Sequence, residues 1–281
     1  MKVAALQMDV VLGDSTANQH AISQRLEQAA AAGAELVVFP ECAWTGYCFE
    51  SLEHAREHAE PVPGPATLAL ARDCARWGVH TVVGLLEVSG TQVFNTAVLV
   101  GPEGLVARYR KVHLPYLGVD RFTSLGDEPF ATHDIGGVRV GINICYDASF
   151  PEGPRSLAIQ GADLIVLPTN WPPGAAAVAA HVINTRAMEN GVYFAAVNRV
   201  GTEGGFQFIG QSCICGPDGE TLARAGEDQE QMLLVDIDPE RSRRKRIVRV
   251  PDQHVIDRMA DRRPDMYADL VQPHQLQRPG R

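Results

Sequence analysis

Nowhere in the 281 residues do 18 apolar residues stand together, and no charged leader opens into a long apolar run. Neither a membrane-spanning helix nor a secretory signal is expected. Positive charge is also scarce, with 25 Lys and Arg against 34 Asp and Glu and a net charge of −9. Nucleic acid and anionic membranes are bound through a basic footprint, so a small molecule or another protein is the expected partner. Cys213-x-Cys215 and Cys42-x5-Cys48 lack the paired spacing and His partners of a zinc site, and no HExxH or GxxxxGK[ST] string occurs. No metal, nucleotide or other cofactor is expected. The six cysteines form no small-domain framework, which points to reduced thiols and a cytoplasmic protein.

What is present is an ordinary globular composition, 45% hydrophobic and 21% charged. Strand-like and helix-like runs alternate. Val3 to Met8 reads as a strand, Ser15 as the cap of a helix that Gly33 closes, and 33–41 (GAELVVFPE) as a strand buried on both faces and ended by Glu41. Pro-Gly-Pro at 63–65 opens a second helix. The strand 79–87 follows, then a hairpin, 92–100 with 105–114, that delivers Lys111. Strand 138–144, helix 151–161 and strand 161–169 come next, then helix 180–191, strand 192–198 and a closing hairpin with Pro-Asp-Gly as its turn. The run GADLIVLPT (161–169) echoes GAELVVFPE, which predicts two related β-α-β halves of an α/β fold. Residues 1–240 read as one domain, and the basic, then polar, segment 241–281 as an extension that wraps a partner or frays.

In α/β sheets ligands gather at the carboxyl ends of strands, where Glu41, Cys145 and Thr169 fall. Cys145, in GINICYDASFPE, sits at a strand-to-helix turn, the mechanical setting of a nucleophile elbow; the following helix is expected to favour its thiolate. A buried, inert thiol is the competing reading, and position alone leaves both open. Glu41, ending an apolar run, suits a general base with a raised pKa, though a solvated loop glutamate would look the same. Alternation puts Tyr109, Lys111 and His113 on one side of their strand. An inward Lys111 needs an anion, whereas an outward one belongs to a solvated basic face. His80, His113 and His181 could each partner a thiol, but no protease-like signature surrounds them.

Three strings, FPE at 39–41, YRKVHLP at 109–115 and CYDASFPE at 145–152, taken in that order, resemble the signature blocks of the nitrilase superfamily of carbon-nitrogen hydrolases. The likeness continues through GADLIVLPTNW, NTRAMENGVYFAAVNRVG and FIGQSCICGPDGE, covering about residues 1–240. It implies a four-layer α-β-β-α sandwich in a homodimer or larger assembly, with Glu41, Lys111 and Cys145 as base, oxyanion stabiliser and nucleophile. The backbone N–H of Tyr146 is implied as a second oxyanion donor.

The chain departs from the family at one point: many members place a second glutamate shortly after the lysine, and here Asp120 is the nearest carboxylate. Tyr47, Asn170 and Trp171 are expected to line the pocket, and Glu152, Arg155, Arg186 and Glu189 to form buried ion pairs beside it. Tyr146 after the cysteine resembles the amidase branches, where nitrilases more often carry Trp. The implied reaction is hydrolysis of a small carboxamide through a cysteine acyl-enzyme. The alternatives are a nitrilase, an N-carbamoyl amidohydrolase, or a non-catalytic binding member of the fold.

Overall fold

The computed structural model describes residues 1–280. Strand β1 (Lys2–Gln7) leads into helix α1 (Ser15–Ala31) and strand β2 (Leu36–Val38). Helices α2 (Leu52–Glu57) and α3 (Pro65–Trp77) precede β3 (His80–Ser89), β4 (Gln92–Gly101) and β5 (Gly104–Arg110). The second half holds β6 (Thr132–Ile135), β7 (Val138–Ile142), α4 (Glu152–Ile159), β8 (Leu164–Pro168), α5 (Ile183–Asn190) and β9 (Tyr193–Val197). A short ribbon, β10 (Thr202–Glu203) with β11 (Phe206–Gln207), is followed by β12 (Cys213–Cys215), β13 (Thr221–Arg224) and β14 (Gln231–Asp236). The extension adds α6 (Pro239–Arg243) and the hairpin of β15 (Arg246–Val250) with β16 (His254–Asp257).

Two six-stranded sheets result, in the orders β14-β1-β2-β3-β4-β5 and β13-β12-β9-β8-β7-β6. In each, a parallel trio (β1-β2-β3, β7-β8-β9) is flanked by antiparallel strands. The echoed runs are the central strands of the two trios, as the two-halves reading required. Alternation explains the layering. Val3 and Ala5 of β1, with Leu36 and Val38 of β2, pack with second-sheet residues such as Ile142, Leu164 and Val166. Their neighbours Ala4, Leu6 and Val37 pack against Ile22 and Leu26 of α1 and Leu70 of α3. With α4 and α5 on the far face of the second sheet, contributing Leu157, Ile183 and Ala187, the order is α-β-β-α.

Local details differ from the sequence reading. The cap of α1 is Asp14, whose carboxylate accepts from Ala17 N, and not Ser15, which is the first helical residue. The helix expected over 180–191 is present, but its first turn, Val178–Val182, is a wider π turn, and regular α5 begins at Ile183. No helix among the described residues is long and apolar enough to cross a membrane.

Candidate active site

Strand β2 ends at Val38, and Phe39-Pro40 carry the chain to Glu41, which is buried with 1% exposure. The turn lies so close to β3 that a Cβ on Gly84 would stand 2.3 Å from the Cys42 nitrogen and 2.8 Å from the Glu41 Cα. Cys42 itself takes a left-handed φ of 49° to redirect the chain. Glu41 thereby points toward Lys111, which follows β5.

The Lys111 Nζ donates to Glu41 Oε1 at 2.6 Å and to Asp120 Oδ2 at 2.5 Å, all three side chains being fully buried. The inward orientation therefore holds, with two anions rather than one. Asp120 reaches the lysine because it sits on a 3-10 turn, Gly118–Arg121, that lies on the Tyr47 ring. A Cβ on Gly118 would come within 2.2 Å of that ring. The Tyr47 hydroxyl donates to Asp120 Oδ2 at 2.8 Å. Arg110, by contrast, leaves the cluster and pairs with Glu87 and Asp127.

Cys145 follows β7 and is 8% exposed. Its φ of +46° is a left-handed value that a side chain adopts only when its surroundings impose it. The surroundings here centre on Asp147. The Asp147 carboxylate accepts from Ile144 N at 2.9 Å, His113 N at 3.0 Å and the Tyr109 hydroxyl at 2.7 Å, and it pairs with His113 Nδ1 at 2.7 Å. His113 also stacks on Phe150 at 3.8 Å. The Lys111 and Cys145 segments are thus clamped together by residues within their own motifs, and Arg186 adds a bond to the Ala148 carbonyl at 2.9 Å.

The helix expected over 151–161 is present as α4 (Glu152–Ile159), but a 3-10 turn, Cys145–Ser149, separates it from the cysteine, so its end does not favour a thiolate as expected. Burial pushes the thiol pKa up to about 12, reinforced by Glu41 and opposed by Lys111, Thr169 and the Asn170 backbone. The resting sulfur is a neutral thiol that needs a base. Burial, followed by the Asp120 charge, raises the Glu41 pKa against the lowering effect of Lys111 and Asn95. Burial alone would depress Lys111, but Asp120 and Glu41 outweigh it and hold the ammonium well above its ordinary range. Glu41 Oε2, unlike Oε1, meets no donor.

The remaining expected residues are spread around this cluster. Asn170 donates to the Glu41 carbonyl at 3.0 Å and Trp171 is buried, its amide held by Asn198. Tyr146 is exposed, edge-on to Phe150. Arg186 pairs with Glu189, though partly exposed rather than buried, Arg155 reaches the Glu189 carbonyl and the Met259 sulfur instead of a carboxylate, and Glu152 is exposed. A cavity of about 320 Å³ opens between the 45–60 and 116–130 loops, lined by Cys48, Glu50, Tyr116, Leu117 and Arg121 among others.

Three supporting residues escaped the sequence reading. Asn95 donates to both Glu41 and Asp120, and Glu203 accepts from the amides of Tyr47 and Cys48 while pairing with the buried Arg199. Asp147 is the third. The available signal was polarity out of place, an Asn inside the apolar run of β4 and an Asp inside a motif otherwise assigned to the cysteine.

The buried Glu41–Lys111 pair and the Cys145 thiol lie within electrostatic reach of one another between two stacked α/β halves. Residues 2–247 match the model of the carbon-nitrogen hydrolase family, and the chain belongs to it. It is 38% identical to a nitrilase of Pyrococcus abyssi, covering 95% of this chain and 99% of the relative. An (R)-stereoselective amidase of Pseudomonas sp. is 34% identical, over 87% of this chain and 88% of its own. Among solved structures, the amidase of Nesterenkonia sp. AN1 superimposes with a TM-score of 0.80 at 26% identity, covering 96% of this chain and all of that one. In that structure acrylamide is added at the active-site cysteine.

Proposed function

We propose that the protein hydrolyses a small carboxamide to the carboxylate and ammonia through an acyl-enzyme on Cys145. The observation that carries this reading is the buried Lys111 ammonium, fixed by two carboxylates beside a neutral thiol, with one Glu41 oxygen left free of donors. Cys145 Sγ attacks the carbonyl carbon as Glu41 takes the thiol proton, and the C=O electron pair moves to oxygen. Lys111 and the Tyr146 N–H stabilise that oxyanion. The C–N bond then breaks, Glu41 returns the proton to nitrogen, and ammonia leaves. Water activated by Glu41 next attacks the thioester carbon, and sulfur departs to be reprotonated. Asp120 fills the place of the family's second glutamate, since its turn brings the shorter carboxylate into contact with Lys111. Tyr47, Asn170 and Trp171 shape the surrounding wall.

Ammonia release from acetamide, propionamide and benzamide, their nitriles and N-carbamoyl amino acids tests this, with mass spectrometry for an acyl adduct on Cys145. Amide turnover with the adduct is the expected result. Nitrile consumed without free amide would favour the nitrilase reading, to which the Pyrococcus relative lends support. Preferred turnover of carbamoyl compounds would favour the carbamoyl reading, and no adduct across the panel would leave a binding protein. The assembly read here is a cytoplasmic homodimer or larger oligomer. In this proposal the basic extension after residue 240, through exposed Val248, Leu270 and Val271, would cover a second copy of this acidic chain.

A further inference from the structure

Asn95 sits in the middle of β4 with 1% exposure. Its backbone carbonyl accepts the Lys111 amide at 2.8 Å. Its side-chain nitrogen gives one hydrogen to Glu41 Oε1 at 2.7 Å and the other to Asp120 Oδ1 at 2.9 Å. The orientation of the amide is forced, because ionised carboxylates only accept, so the NH2 end must face them. The oxygen end takes the Cys42 thiol at 3.6 Å. Lys111 Nζ bridges the same two carboxylates from its own position, to Glu41 Oε1 and Asp120 Oδ2. Two donors and two acceptors close a ring, and both donors converge on the same oxygen of Glu41.

We infer that Asn95 is a positioning residue which, together with Lys111, occupies Glu41 Oε1 and so leaves Oε2 as the oxygen through which the catalytic proton passes. This rests on Glu41 acting as the base. A carboxylate with free rotation could present either oxygen; one pinned through Oε1 presents Oε2 in a single orientation, which is what taking the proton from the Cys145 thiol requires. The groups facing Glu41 are Lys111, Asp120, Cys42, Tyr47 and Cys145. The Asn95 hydrogen bond opposes the upward effect of burial on Glu41.

The test is the pH profile of kcat/KM for propionamide in Asn95→Leu, which keeps the side-chain shape and removes the donors. Asn95→Ser serves in its place if the first fails to fold by circular dichroism. A lost donor to the carboxylate raises the base's pKa, so the acid limb should move up by about one pH unit. kcat should fall about ten- to hundredfold while KM changes less than about threefold. Site-resolved alkylation of Cys145 by iodoacetamide, followed against pH, should show the same shift without requiring turnover. An acid limb that stays in place in both measurements overturns the inference, even if the variant is less stable or slower. Cys145→Ala and Glu41→Gln run alongside: wild-type ammonia release from either would instead overturn the proposed roles of Cys145 as nucleophile and Glu41 as base, on which the inference rests.

Discussion

The two halves of the molecule share a framework and differ at the strand ends. Val38 of β2 pairs with Ala5 and Val82, and Val166 of β8 pairs with Ile142 and Ala195, so the two trios are in the same register. Three residues past each reference valine comes Glu41 in one half and Thr169 in the other. The first half supplies the proposed base and the cation, and the second supplies the proposed nucleophile with the Thr169 hydroxyl and Asn170 amide beside it. A repeated framework thus carries a glutamate at one strand end and a threonine at the matching one, and the proposed chemistry depends on that difference.

The comparison breaks most severely at Cys145. Cys145→Ala should lower ammonia release roughly 10⁴-fold or more, since removal of a nucleophile leaves only binding and oxyanion contacts. Alanine tolerates the left-handed turn no worse than cysteine, and Asp147 still holds it. The melting temperature should therefore stay within a few degrees; a collapsed fold would show that the thiol is a structural residue.

Lys111→Ala ranks next. It should reduce kcat by about 10³-fold, and it also leaves Glu41 and Asp120 facing one another uncompensated, which costs about 3–5 kcal/mol of stability. Wild-type unfolding in urea would contradict the buried triad. Asp120→Asn is milder and carries a sign. The Asp120 charge raises the Glu41 pKa, so its removal lets Glu41 ionise at lower pH. The acid limb of kcat/KM should move down, opposite to Asn95→Leu, with activity reduced about tenfold. A shift in the same direction for both variants would mean that the limb reports another group.

Three short strings made much of the site legible. Glu41 and Cys145 each follow a strand marked by an apolar run and Lys111 one marked by alternation, and the fold class follows from the same patterns. Contacts that depend on the packing of distant strands were not legible. Asn95 lies 54 residues from Glu41 and 25 from Asp120, and nothing local says that its amide joins them. Glu203 lies 156 residues from the Tyr47 amide it accepts. The thiolate expected at Cys145 failed for a different reason. Ile144 N and the Tyr109 and His113 side chains bind Asp147 within a 3-10 turn, Cys145–Ser149, that separates the cysteine from α4. Side-chain competition of this kind overrides the backbone pattern.

The smallest expected effect sharpens the comparison between the halves at the other end of the same strands. The echoed runs carry Glu35 and Asp163 at matching places. Glu35 accepts the Lys2 amide at 2.8 Å, and Asp163 accepts the Arg139 amide at 3.0 Å, each from the neighbouring strand. Only Asp163 is covered. Its side chain is 1% exposed beneath α6, bonded to Ser242 Oγ at 2.9 Å and Arg243 Nη2 at 2.8 Å, whereas Glu35 is 62% exposed. Glu35→Gln should therefore change stability by less than about 0.5 kcal/mol, and Asp163→Asn should cost about 1–3 kcal/mol and free the extension to proteolysis near Arg243. Burial opposes ionisation of Asp163, but the bonds from Arg243, the Arg139 backbone and Ser242 outweigh it and lower its pKa. Its contribution is then present above the ordinary aspartate pKa and is lost as pH falls through the lowered one. Wild type and Asp163→Asn should converge in melting temperature in that acidic window and diverge near neutrality. Equal losses for Glu35→Gln and Asp163→Asn at pH 7 would show that the strand-to-strand bond, common to both halves, matters more than the anchored extension.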